Sequence, residues 1–217
     1  MALLEQDARL SRAQLAREVG ACKSNLSRTF KAEMGLSVTQ YRSRLRLERF
    51  LSLVDPHAGN LLAAVFPMQP GPDGKYPWGS NADVLGNMVL LAGAADASGD
   101  ARFADGVVAG MDYLLGRNAM AQSYVTGYGT RPLQSPHHRF WARQANARYP
   151  KPPPGALSGG PNSNLQDPYV RSAGLENCPP QKCFVDNIAA YSVNEVAINW
   201  NAALTWSAIW IDEWARR

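Results

Sequence analysis

Apolar side chains recur at intervals of three and four along several stretches of the chain, and between those stretches the pattern breaks. In SRAQLAREVG (11–20), Ala13, Leu15, Ala16 and Val19 make a short apolar face, with Ser11 suited to an N-cap and Gly20 to the turn that ends the helix. KSNLSRTFKAEM (23–34) puts Leu26, Phe30 and Met34 on one side. SVTQYRSRLRLERFLSLVD (37–55) follows with Tyr41, Leu45, Leu47 and Leu51 as packing residues. Farther on, Val84, Leu85, Met88, Leu91 and Ala92 predict a helix begun by Ser80. Asp100 caps the next, whose Phe103, Val107, Met111 and Leu114 repeat at helical spacing. The two form a helical hairpin. A final helix is predicted over roughly 193–215, with Val196, Trp200, Leu204, Trp206, Ile209 and Trp210 on it and its tryptophans in the core. Between the hairpin and this helix, KPPPG, SGGPNSN and CPPQK exclude long regular elements.

Charge and aromatic content divide the chain. Residues 1–55 hold ten Lys/Arg against six Asp/Glu, while residues 56–217 hold twelve of each; all six tryptophans lie after residue 77. A small basic unit therefore precedes a neutral, aromatic-rich one. QPGPDGKYP, in the stretch between them, is turn and loop. The expected boundaries are 1–54, a junction over 55–75, and 76–217. No apolar run is long enough to span a bilayer. The start, MALLEQDARLSRAQLARE, has no uninterrupted apolar core and is not read as a signal peptide, so the chain as written is expected in the cytoplasm.

Two segments concentrate candidate chemistry. FVDNIAAYSVNEVAINWNA (184–202) carries Asp186 and, nine residues later, Glu195 on the turn that opens the last helix. SYVTGYGTRPLQSPHHRFW (123–141) brings two histidines, two arginines and several aromatics together. A carboxylic acid, an orienting partner and a cationic, aromatic strip are the parts needed to protonate a glycosidic oxygen and hold a sugar. Each part has a plainer reading. Ser192-Val-Asn-Glu195 is also a capping box, and Asp186-Asn187 fits an ordinary turn. His137 and His138 have no suitably spaced third metal ligand, so no metal is expected there. Asn162, Asn164 and Asp167 offer oxygens to calcium at no standard loop spacing. Cys178 and Cys183 could bridge a tight loop in an oxidising compartment; in the cytosol they are read as free thiols.

LAREVGACKSNLSRTFKAEMGLSVTQYRSRLRLER resembles the DNA-binding domain of AraC/XylS-type regulators, covering the first helix-turn-helix and the connecting helix but not the second helix-turn-helix. The resemblance implies that Lys23, Ser24, Asn25, Ser27 and Arg28 contact DNA and that Arg42, Arg44 and Arg46 touch phosphates.

YPWGSN, MDYLLGRN, SYVTGYG, PHHRFW, KPPPGALSGGPNSNLQDPY and FVDNIAAYSVNEVAINWNA are similar to the C-terminal part of family 9 glycoside hydrolases, a cellulase family. Both signature patterns of that family are satisfied, at 123–139 and 184–202. The resemblance implies an all-α fold, a partial (α/α)6 barrel with long loops preceded by a small helix-turn-helix bundle. It implies endo-hydrolysis of β-1,4-glucan with inversion, and often a structural calcium. Glu195 matches the general acid, Asp186 the carboxylate that supports it and His137 the signature histidine. Arg139 matches the sugar-contacting arginine, and His138, Trp141 and Tyr128 stand beside it as substrate contacts.

Inversion also needs a carboxylate to activate water. The family's motif for it, close to Asp-Ala-Gly-Asp, has no counterpart; Asp96-Ala-Ser-Gly-Asp100 looks alike but falls at the turn of the helical hairpin. Hydrolysis is thus expected to be impaired. The alternatives are a DNA-binding regulator with a sugar-contacting remnant and an inactive chimera. A partial barrel is further expected to self-associate through exposed apolar surface.

Overall fold

A computed structural model of the chain describes residues 12–39, 41 and 75–217. The chain separates into two units, Met1–Leu61 and Leu62–Arg217. Most of the helix predicted over 37–55 lies outside the described residues, with Arg42, Arg44, Arg46, Leu45, Leu47 and Leu51; so does the junction up to residue 74.

In the first unit, α1 (Arg12–Glu18) and α2 (Lys23–Met34) are joined by a turn at Gly20, whose φ of 64° favours glycine. Leu15, Val38 and Tyr41 form a small core, with Leu26, Phe30 and Met34 packed against it. Phe30 meets Tyr41 edge to face at 5.4 Å. Val19 departs from the expected apolar face. It lies beyond the last helical residue, Glu18, and is 52% exposed.

The second unit is built on α3 (Ser80–Ser98), α4 (Ala101–Leu114) and α7 (Ile198–Trp214), which pack on one another. Val84, Leu85, Met88, Leu91 and Ala92 are all buried, as are Val107 and Leu114. Asp100 caps α4 by accepting the N–H of Arg102 at 3.0 Å. Ser80 is not the cap of α3. Gly79, at φ 81°, holds that position, and Ser80 Oγ donates to the carbonyl of Pro161 instead. A Cβ on Gly79 would meet the Trp200 ring at 2.8 Å, so the entry to α3 is fitted against α7.

The intervening loops contain two short α-helices, α5 (Pro168–Ser172) and α6 (Tyr191–Asn194), a 3₁₀ turn at Pro180–Lys182, and isolated bridges rather than a sheet. Tyr76, Tyr113 and Tyr124 are buried beneath them, and burial pushes each hydroxyl's pKa up, so all three stay neutral core residues. Cys178 and Cys183 form a disulfide, with Cα atoms 5.4 Å apart. This overturns the free-thiol reading, which had rested on a reducing compartment; the tight loop holds the two cysteines at bridging distance.

The last helix also differs from expectation. The chain leaves α6 at Asn194, runs extended through Glu195 (ψ 145°) and re-enters helix only at Ile198. Backbone pairing of Glu195 and Val196 with other loops wins over continuous helix. Of the tryptophans on α7, Trp210 is buried, Trp200 and Trp214 are half-buried, and Trp206 is 44% exposed.

Candidate active site

Glu195 is held by its backbone on both sides. Its carbonyl accepts the N–H of Gly159 at 2.9 Å, and the carbonyl of Asn194 accepts the N–H of His137 at 2.8 Å. His137 and Glu195 are bridge partners, as are Ser158 and Val196. Behind them, the Asn81 N–H donates to Gly159 O at 3.0 Å and its Nδ2 to Ser158 O at 2.9 Å, which ties α3 to the strip beside Glu195. The predicted capping box does not form. Glu195 is extended, and Ser192 Oγ is buried without a hydrogen-bond partner.

The half-buried Glu195 side chain accepts the indole N–H of Trp78 at Oε2, 3.0 Å away. Oε1 has no partner among the described residues, so one oxygen is fixed and the other is available. Trp78 and His137 flank Tyr191, with ring centroids 5.8 and 5.7 Å from it. His137 Nδ1 donates to the carbonyl of Ile188 at 2.5 Å. A carbonyl only accepts, so Nδ1 carries a proton, and Nε2 makes no hydrogen bond among the described residues.

Asp186 serves the site from a distance. Its Oδ2 accepts the N–H of Gln134 at 2.7 Å and its Oδ1 that of Ser135 at 2.8 Å, with longer bonds from Gln122 Nε2 and Asn194 Nδ2, both 3.4 Å. Asn194 Nδ2 also donates to Ser135 O at 2.6 Å. Asp186 thus anchors the segment leading into His137 and the residue preceding Glu195, and it is linked to Glu195 only through these neighbours.

The remaining sequence candidates divide. His138 Nδ1 accepts the N–H groups of Phe140 and Trp141, and its ring stacks on Trp141 at 4.1 Å, so this pair shapes the turn after His137. Arg139 and Tyr128 are exposed. Lys23, Ser24, Asn25 and Arg28 are exposed on α2 and Ser27 is half-buried; Arg28 donates to Asn25 Oδ1 at 3.2 Å, and Ser24 Oγ is hydrogen-bonded to Cys22 Sγ.

Of the calcium candidates, Asp167 and Asn162 spend oxygens on the backbone. Asp167 is buried, and its two oxygens accept the N–H groups of Val170 and Ser192, both at 2.8 Å. Asn162 Oδ1 accepts the N–H of Asn164 at 3.0 Å. These oxygens fix the loops internally, and no group of three His, Cys, Asp or Glu able to hold a metal is found among the described residues.

Trp78 and Tyr191 are site residues that sequence reasoning passed over. Trp78 lies in YPWGSN, 117 residues before the carboxylate it contacts, beyond the reach of any spacing argument. Tyr191 lies inside the quoted 184–202 segment, where its aromatic ring beside a candidate acid was the available signal.

The glycosyl hydrolase family 9 model matches residues 13–208, a range that takes in α2 and all of α1 but its first residue. The chain is similar to the cellulose 1,4-beta-cellobiosidase of Acetivibrio thermocellus, at 49% identity over 140 residues, and to endoglucanase C of Cellulomonas fimi, at 47% over 142. Each match covers 64% of this chain but only 16% and 13% of the respective relative. Among solved structures, a family 9 glycoside hydrolase of Bacteroides ovatus superposes with a TM-score of 0.61 at 29% identity, over 82% of this chain and 30% of that one.

Proposed function

Since the chain belongs to glycosyl hydrolase family 9, we propose that residues 76–217 carry the acid side of an inverting, endo-acting β-1,4-glucanase. One observation carries this reading: Glu195 is pinned at Oε2 by Trp78 and open at Oε1, between an aromatic pair and a histidine with a free Nε2. Oε1 is then the atom that gives a proton to the departing glycosidic oxygen. Trp78 and Tyr191 cover the apolar face of a glucose ring. His137 Nε2 accepts a sugar hydroxyl, and the exposed Arg139 donates to another.

Asp186 acts as a positioning residue. It holds the Gln134–Ser135 backbone and Asn194, and so keeps His137 and Glu195 in register. The carboxylate that activates water in an inverting reaction is not among the residues grouped around Glu195, and none is assigned. Asp96 and Asp100, the superficial candidates, bind Trp210 and Arg217 and cap α4, respectively.

The test is reducing-sugar release from soluble carboxymethylcellulose by the purified chain, with Glu195→Gln measured alongside. Release by the parent and a loss of about 10²-fold or more in the variant is the expected result. Equal release from both, or none from either, would overturn the hydrolase reading for this chain.

A second reading concerns the N-terminal unit alone. Lys23, Asn25 and Arg28 are exposed together on α2, the observation that favours DNA contact. Retention of duplex DNA that fades steeply as salt rises would support it.

A further inference from the structure

Next to the segment leading into His137 lies a cleft of about 400 Å³ whose lining includes none of Trp78, His137, Tyr191 or Glu195. We propose that this cleft is a subsite for an acidic sugar, whose carboxylate is held by Arg143 and Lys151.

The charge of the lining is one-sided. Arg143 and Lys151 contribute to it, and it contains no Asp or Glu. Neither cation forms an ion pair with a described residue. Asp186 is the acid that touches the lining, through the N–H groups of Gln134 and Ser135, and its other hydrogen bonds come from the amides of Gln122 and Asn194. It is therefore already supplied with neutral donors, and the two cations are left without an ion-pair partner among the described residues. A guanidinium matches a carboxylate in a two-pronged geometry and an ammonium adds a point charge.

The walls are built rather than loose. Thr126 Oγ1 donates to the carbonyl of Pro153 at 2.6 Å and accepts the N–H of Ala156 at 2.8 Å, while Thr126 O accepts the N–H of Gly155 at 2.8 Å. Gly127, at φ 72°, allows a close approach: a Cβ there would meet Pro154 at 2.8 Å. The proline-rich 152–154 strap is thereby fixed to the Thr126–Gly127 loop.

The occupant is larger than a bare anion. The volume falls in the range of small-molecule sites. Gln144 Oε1 accepts the N–H of Ile188 at 2.8 Å, which fixes the amide and leaves its Nε2 to donate to a hydroxyl. Pro152 and Pro154 add apolar surface for the face of a pyranose ring. The sugar part of this proposal rests on the glucan reading above; the anion part does not.

Calorimetric titration of the full chain with glucuronic acid, glucose and inorganic phosphate tests it. Glucuronic acid is expected to bind at least about tenfold more tightly than glucose or phosphate. An Arg143→Gln/Lys151→Gln double variant, with unchanged melting because both side chains are exposed, should lose about tenfold or more of that affinity. No binding of glucuronic acid, equal binding of glucose, equal binding of phosphate, or a double variant that binds as well as the parent would each overturn the proposal. Glu195→Gln is expected to bind glucuronic acid as the parent does. Binding without hydrolysis, or hydrolysis without binding, then separates failure of the glucanase reading from failure of this one.

Discussion

At the scale of single residues, the distinction that matters is between the two carboxylates of the 184–202 segment. Asp186 accepts only backbone and amide N–H groups, and Glu195 accepts one indole N–H and keeps an oxygen open. Identical chemical groups thus differ in hydrogen-bond supply: the saturated carboxylate organises the chain, and the half-satisfied one is the acid of the function proposed above. The indole N–H should orient the acid without forming part of its bond to substrate. Trp78→Phe keeps an aromatic face and removes this donor. Turnover is expected to fall by about tenfold, equivalent to roughly 1.4 kcal/mol of transition-state stabilisation. Trp78 is 38% exposed, so the melting temperature should barely move. Steady-state kinetics beside a thermal melt check this, and an unchanged rate would show that the contact does not position Glu195.

At the scale of elements, α7 is docked at its far end by a polar clasp. Asp96, near the end of α3, accepts the Trp210 indole N–H at 2.9 Å and the Arg217 guanidinium at 2.7 Å, and Arg217 in turn lies 4.8 Å from the centre of the Trp214 ring. Partial burial works to raise the Asp96 pKa, but the bonds from Trp210 and Arg217 outweigh it and hold the carboxyl below its ordinary value. A carboxyl with a depressed folded-state pKa contributes stability above the unfolded value, near 4, and that contribution is lost as pH falls through the folded value. The clasp is partly solvated, so its worth is only about 1 kcal/mol. Asp96→Asn is therefore expected to lower stability by about that amount at neutral pH. The gap between parent and variant should close below about pH 4. Denaturant unfolding across this range measures it; a gap independent of pH would argue against an ionic clasp.

At the scale of the whole molecule, the second unit combines three packed helices with a long irregular region that carries most of the candidate site. Such a region has little regular ladder to hold it, and its order comes from buried side chains bonded to backbone: Asn81, Asp167 and Asn162, each effectively sealed from solvent. The Cys178–Cys183 disulfide adds a covalent closure just before the Phe184–Asp186 segment. Closing so short a loop restricts the unfolded chain by about 2 kcal/mol in the entropic account. Reductant, or a Cys178→Ser/Cys183→Ser variant, is expected to lower unfolding free energy by about that much. Calorimetry with and without reductant checks it, and identical melts would mean that the bridge contributes nothing.

Helix periodicity, the Asp100 cap and the loop-rich stretch were legible in the sequence because each depends on residues within a few positions of one another. The same holds for the family signatures that singled out Glu195, Asp186 and His137. Three features were not legible: the extended break at Glu195, the displacement of Ser80 from its cap, and Trp78 as the acid's partner. Each is decided by bonds between distant segments, Gly159 to Glu195, Ser80 to Pro161 and Trp78 to Glu195, that compete with local preference and prevail. The sequence by itself determined which segments are similar to family 9 signatures and where the long helices of the hairpin lie. Only the tertiary structure decided which oxygen of Glu195 is free, because that depends on where the rest of the chain delivers its N–H groups.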